Sequence, residues 1–185
     1  AGADVGISDY PCFNSPDSFG TAIKEAGFDL LTTANNHSMD KRMSGAVRTL
    51  DVLDGLGIDH VGTYRSAEER DKIYIKEALE PDVIVVMPHM GNEYEEYVRD
   101  TFKNTAHMML NAGADIVVAS HPHVLQPMET VEITEENGEK RTGFVMYSMG
   151  NFISSQTTPP RNASILLNIE LEKVGKNDAF IKKVS

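Results

Sequence analysis

Cysteine is almost absent. The 185 residues contain one, Cys12, so no internal disulfide can form and the fold must rest on a packed core. A lone free cysteine reads as a small buried or half-buried side chain, and it leaves cytosol and cell surface both open. Long apolar runs are also missing. No window approaches the roughly 18 apolar residues of a membrane span. No signal-peptide pattern is present, and the chain starts at Ala1 rather than Met, which reads as a processed or cut beginning. Basic residues are few. Lys and Arg number 17 against 28 Asp and Glu, a formal net charge of −11. That argues against nucleic acid or an anionic membrane surface as the main partner, because both are polyanions read by basic patches. An anionic substrate held through metal ions stays open, since a bound cation reverses the local field. There is no phosphate-binding glycine loop and no Gly-x-Ser-x-Gly elbow, which leaves little support for a serine hydrolase.

What is present is ordinary globular material: 41% hydrophobic and 24% charged residues, enough for a single domain over 1–185 with a sizeable core. Short apolar runs alternate with helical patterns. Ser15-Pro16-Asp17 predicts an N-cap with Pro at the first helical position, and a helix to Ala26 that stops at Gly27. Phe28 to Ala34 reads as a buried strand. Ser44 to Leu56 carries Val47, Leu50, Leu53 and Leu56 on one helical face, with Gly57 as the stop. Ile58 to Val61 predicts a short strand, and Ser66 to Glu69 has capping-box spacing. Asp82 to Met87 is the clearest strand pattern. Thr101 to Ala112 predicts a helix with Phe102, Ala106, Met109 and Leu110 inward, followed by a buried strand over Asp115 to Ala119. Asn137-Gly138 signals a hairpin between Met128–Ile133 and Arg141–Ser148. A second hairpin is expected between Ala163–Val174 and Ala179–Val184. Strand–helix alternation thus gives way to antiparallel strands, an α/β architecture.

Four of the six histidines fall just past the carboxyl ends of apolar strands: His37, His89, His121 and His123. In α/β sheets that edge is where ligand sites form. His121-Pro122-His123 has the i, i+2 spacing that puts two imidazoles on one side of an extended segment. Pro122 discourages a helical turn there. Because imidazole is the commonest metal ligand, three strand ends each delivering His point to metal binding. Asn36 offers a neutral oxygen to a hard divalent ion, and His37 beside it is placed to move a proton. His60 and His107 read as structural, and the nine methionines as core filler. Glu132, Glu135, Glu136 and Glu139 read as a solvated edge. Glu93, close after His89, is expected near the cleft.

Five segments in order resemble the bacterial capsule-synthesis CapA family: Tyr10 to Pro16, Ala34 to Ser38, Pro88 to Tyr94, Gly113 through His123, and Tyr147 to Phe152. That family is associated with poly-γ-glutamate capsule synthesis and is similar in fold to the calcineurin-like metallophosphoesterases. The resemblance implies a four-layer α/β/β/α sandwich with a two-metal site at the strand ends. Asn35-Asn36-His37 looks like the Gly-Asn-His motif, with Asn36 a metal ligand and His37 the catalytic proton donor. His89, His121 and His123 look like the metal-ligand histidines. Asn35, Asp40, Glu93 and Asn151 would contact substrate or support the ligands. The implied cofactors are divalent ions, Mn, Fe or Zn. The implied partners are an anionic extracellular polymer and other capsule-synthesis subunits, with no nucleic acid. The implied place is the extracellular face of the cell membrane, through an N-terminal anchor. Superfamily members begin with an Asp-x-His strand and a Gly-Asp segment that supply the remaining ligands, and neither is here. Family members usually carry another strand and a loop between segments like Ile73 to Lys76 and Pro81 to Met87, and here the two nearly abut, so a missing segment is expected near Lys76-Glu77. The expected activity is hydrolysis or transfer of an ester or amide bond of the polymer. The alternative is a non-catalytic subunit that binds or guides it.

Overall fold

The computed structural model describes residues 6–72, 83–152, 154–174 and 178–185. The chain divides into two compact units, Ala1–Ile75 and Lys76–Ser185. The expected loss near Lys76-Glu77 lies outside the described residues.

The first unit is built on helices α1 (Asp17–Glu25) and α2 (Arg42–Leu56), with strands β1 (Leu30–Thr32) and β2 (Asp59–Val61) and a single turn of helix, α3 (Ala67–Arg70). The two strands pair in parallel, Leu31 opposite His60. Gly57 ends α2 in the left-handed conformation at φ 65°, which a Cβ would strain. The buried side of α2 is Ala46, Leu50 and Leu53, so the apolar stripe is turned slightly from the expected one. Pro16, not Ser15, occupies the N-cap of α1, and it makes no side-chain cap bond. Ser66 does cap α3, accepting from the Glu69 N–H at 3.2 Å. The other half of the capping box is replaced: the Glu69 carboxylate turns to Arg65, whose guanidinium also holds Asp51 at 3.0 Å and Asp54 at 2.5 Å. Burial lowers the pKa of Arg65, but these three carboxylates outweigh it and hold it above its ordinary value. Two expectations fail in this unit. The strand after α1 covers three residues rather than seven and is not buried, because among the described residues only β2 pairs with it. Cys12 is exposed, since it closes a tight turn onto the Asp9 carbonyl at the surface.

The second unit holds strands β3 (Val85–Val86), β4 (Ile116–Val118), β5 (Met128–Thr134), β6 (Lys140–Met146), β7 (Ile169–Val174) and β8 (Asp178–Val184), and helix α4 (Asp100–Asn111). The main sheet has the order β3-β4-β6-β5. Its first three strands run parallel, and β5 joins β6 as the antiparallel hairpin that Asn137-Gly138 predicts. The clearest strand pattern of the sequence shortens to two paired residues, because β4 offers β3 only Ile116 and Val117. The second hairpin starts at Ile169 rather than Ala163, and its turn lies outside the described residues.

Alternation along the strands sorts the core onto two faces. Val117 and Val145 point to α4 and pack with Ala106, Leu110, Ile133 and Tyr147. Ile116, Val118, Phe144 and Met146 point the other way, toward Ile169, Ile181 and Val184 of the β7–β8 hairpin. This unit is therefore helix, mixed sheet and second sheet in three layers. Leu110 is fully buried, which contributes about 1.5–3 kcal/mol. Gly143 lets α4 approach, since a Cβ there would stand 2.9 Å from a Leu110 methyl. Arg141 then ties the helix end to the sheet by donating to the carbonyls of Leu110 and Ala114.

Candidate functional site

Because β3, β4 and β6 are parallel, their carboxyl ends share one edge of the sheet. His89 follows β3, His121 and His123 follow β4, and Asn151 follows β6. The first two loops are joined along their length. His89 and Ser120 continue the parallel ladder as an isolated bridge. The Met90 N–H donates to the Ser120 carbonyl at 2.9 Å, and the Tyr94 N–H to the Pro122 carbonyl at 2.7 Å. Gly91 makes this possible: at φ 127° its missing Cβ would lie 2.6 Å from the Pro122 ring. Pro122 itself is buried while both flanking histidines are half-exposed.

The imidazoles meet at this edge. The His89 and His121 ring centres are 4.7 Å apart, and those of His121 and His123 are 6.2 Å apart. His89 Nδ1 lies 3.3 Å from the Ser120 hydroxyl. His123 Nδ1 lies 2.8 Å from Asn151 Oδ1. The Asn151 amide nitrogen donates to the carbonyls of Arg161 and His123, so its oxygen must be the atom facing the ring. His123 therefore carries a proton on Nδ1, which makes Nε2 the nitrogen a ligating ring would use. Glu93 Oε1 stands 4.0 Å from that Nε2. Three non-glycine residues here have positive φ: Tyr94 at 67°, His121 at 126° and His123 at 60°. Each costs about 1–3 kcal/mol, and such strain collects where side chains must be aimed. Tyr94 stacks against His123 at 5.8 Å between ring centres, and the Arg161 guanidinium lies 3.7 Å over the Tyr94 ring.

The donor chemistry of this edge, three imidazoles with one already oriented by an amide, fits a divalent transition ion. As a complete cage it falls short: among the described residues no group of three or more His, Cys, Asp or Glu side chains is arranged to hold a metal ion.

Asn35, Asn36, His37 and Asp40 belong to the first unit and form a turn after β1. The Asn35 side chain accepts from the His37 N–H at 2.8 Å, and the Ser38 hydroxyl donates to the Asn35 carbonyl at 2.6 Å. His37 Nδ1 lies 2.9 Å from Asp40 Oδ2, which also accepts from the Phe13 N–H at 2.8 Å. Burial would raise the Asp40 pKa, but the Phe13 N–H, the His37 bond and the nearby Lys41 charge outweigh it and hold the carboxyl below its ordinary value. The Phe13 ring meets the His37 ring edge-on at 4.6 Å between centres. Together they flank a cavity of about 480 Å³ between α1, β1 and α2, lined also by Phe19, Ile23, Leu31 and Leu53. Asn36 is exposed.

The two remaining histidines pair with carboxylates away from these sites: His60 with Asp54 at 3.0 Å and His107 with Glu129 at 2.9 Å. Tyr94, Arg161 and Phe13 do not stand out in the sequence. Each acts through a neighbour that only the folded loops supply.

Comparison with known proteins places these features in context. A family model described as bacterial capsule synthesis protein PGA_cap matches residues 1–80 and 74–156. The chain is 28% identical to a Bacillus subtilis (strain 168) protein named PGA biosynthesis protein CapA, over 83% of this chain and 50% of that protein. It is 26% identical to a Bacillus anthracis protein named capsule biosynthesis protein CapA, over 83% of this chain and 47% of that one. The chain thus spans about half the length of the curated relatives it matches. No solved structure matches it.

Proposed function

The chain belongs to the bacterial capsule synthesis protein family PGA_cap, and from that premise we propose that it serves the making of a poly-γ-glutamate-like capsule polymer through its imidazole edge. The observation that carries this reading is the meeting of the His89, His121 and His123 rings where parallel strands end. The four-layer sandwich of the calcineurin-like metallophosphoesterases belongs to the same reading, supported by the helix, sheet and hairpin layers of the second unit. So does a working place on the outer face of the cell membrane, beside other subunits of the capsule machinery.

In this reading His89, His121 and His123 would hold a divalent ion, and Asn36, within the first unit, would offer a metal its side-chain oxygen. When bound, the ion would supply Lewis-acid chemistry, the activation of water and the polarisation of a carbonyl or phosphoryl centre. Asn151 keeps the His123 Nε2 lone pair available. Asp40 fixes the His37 proton on Nδ1, so His37 gives or takes a proton at Nε2. Asn35 holds the His37 backbone. Glu93, on the exposed side of His123, accepts from substrate or solvent. The bond acted on is an ester or amide of the polymer.

Metal content of the full-length protein tests the ligand set. The wild type is expected to retain divalent ion that His121→Ala/His123→Ala loses, and equal content in both sinks the proposal. This chain alone is expected to bind Mn²⁺ or Zn²⁺ weakly, because its described residues close no cage. That same observation favours a second reading, in which the cleft binds and guides the polymer without cutting it. His37→Ala separates the two. An enzyme keeps its ion and loses turnover and capsule output, whereas a guide tolerates the change.

A further inference from the structure

Arg161 stands in the turn over 158–163, which folds back on the imidazole edge. Two independent contacts fix it there. Its guanidinium carbon lies 3.7 Å above the Tyr94 ring, whose other close neighbour is His123 at 5.8 Å. Its carbonyl accepts at 2.8 Å from the Asn151 amide, the group that orients His123. Its N–H is spent on the Thr158 carbonyl at 2.8 Å, which closes the turn. Elsewhere in this unit arginines are engaged with carboxylates: Arg99 with Glu95, and Arg141 with Asp115 and Glu135. Arg161 has no carboxylate partner among the described residues and is half-exposed. A cation–π contact neutralises no charge, and it restrains the guanidinium while leaving its N–H edges available.

We propose that Arg161, held over Tyr94, is the residue through which this edge grips an anionic substrate, taking one carboxylate of the polymer in a paired N–H grip. This rests on the polymer reading above and adds the group that binds the substrate. A chain with a net charge of −11 repels a polycarboxylate on approach, so a cation presented without a carboxylate of its own decides where the polymer docks. The planar fork matches a carboxylate or a phosphate, and a substrate of γ-linked glutamate supplies the carboxylate. Tyr94 is a positioning residue. Its ring, not its hydroxyl, holds the guanidinium.

The test is calorimetric titration of the full chain with a γ-linked glutamate oligomer of defined length, and separately with inorganic phosphate, at several salt concentrations. Arg161→Gln is expected to weaken oligomer binding about tenfold and to flatten its salt dependence, as one ionic contact is lost. Arg161→Lys recovers part of the affinity, because it keeps the charge without the fork. Tyr94→Leu, which removes the ring beneath the guanidinium, falls toward Arg161→Gln. Thermal unfolding of each variant within a few degrees of the wild type shows that the fold is intact. Equal oligomer affinity in folded Arg161→Gln and wild type overturns this inference and leaves the polymer reading standing. A wild type that binds no oligomer overturns the polymer reading and this inference with it. Arg161-dependent binding of phosphate but not of oligomer overturns the carboxylate assignment.

Discussion

Asn151 holds His123 from both sides: its side-chain oxygen faces the ring nitrogen at 2.8 Å, and its amide nitrogen donates to the His123 carbonyl at 3.3 Å. One side chain thus sets the tautomer, the ring orientation and the unusual backbone of the same residue. Asn151→Ala should cost about 1–3 kcal/mol, because the Arg161 and His123 carbonyls lose their donor in a half-buried place. Nitrogen NMR of His123 should change from a single Nδ1–H form to a mixture. An unchanged spectrum would mean that the tautomer is set elsewhere.

Gly91→Ala should separate the loops that carry His89 and His121. The new methyl would stand 2.6 Å from the Pro122 ring, at a φ of 127° that side chains rarely adopt. Overpacking and backbone strain together predict a loss of about 2–4 kcal/mol. Urea unfolding should show a lower midpoint with little change in slope.

Asp40 makes the first unit acid-sensitive. Its folded pKa lies below the ordinary carboxylate value, so its contribution is present above about pH 4 and is lost as pH falls through the depressed value. Asp40→Asn should remove that part of the acid dependence. Circular dichroism followed from pH 5 to about pH 2 checks the slope, and parallel curves for the two proteins would contradict it.

Tyr147 should resist ionisation while the protein stays folded. Burial, and then the Glu129 carboxylate at 2.6 Å, raise its pKa far above the ordinary phenol value. A group raised in this way stabilises the fold below its unfolded pKa of about 10, and the contribution fades as pH climbs through the folded value. Phenolate absorbance should show one tyrosine titrating only as the protein unfolds, and Tyr147→Phe should abolish that step. The substitution should cost about 1–2 kcal/mol, since the phenol is buried and bonded to a carboxylate.

The helix ends were legible because glycine marks them physically. Gly57 and Gly113 have positive φ just where α2 and α4 stop, and Asn137-Gly138 turns β5 into β6. The shared edge of His89, His121 and His123 was legible for a related reason: apolar runs that alternate with helices form parallel strands, and parallel strands end together. Strand lengths were over-read. An apolar run reports burial, whereas a ladder needs a partner, and β3 pairs over only Val85 and Val86. The exposure of Cys12 was hidden, because it depends on what packs over a turn rather than on the thiol. The grip of Asn151 on His123 and the seat of Arg161 on Tyr94 were hidden as well. The first needs the ends of β4 and β6 side by side, the second needs the segment over 158–163 to fold back, and no local pattern encodes either.

The strand order β3-β4-β6-β5 has a consequence for synthesis. The hairpin of β5 and β6 is local and closes within about 1–10 μs once both strands exist. Strand β4, made earlier, finds its second neighbour only in β6. A nascent chain stalled before Lys140 therefore carries the apolar Ile116–Val118 segment with one edge bare, a template for aggregation that translation past Met146 removes.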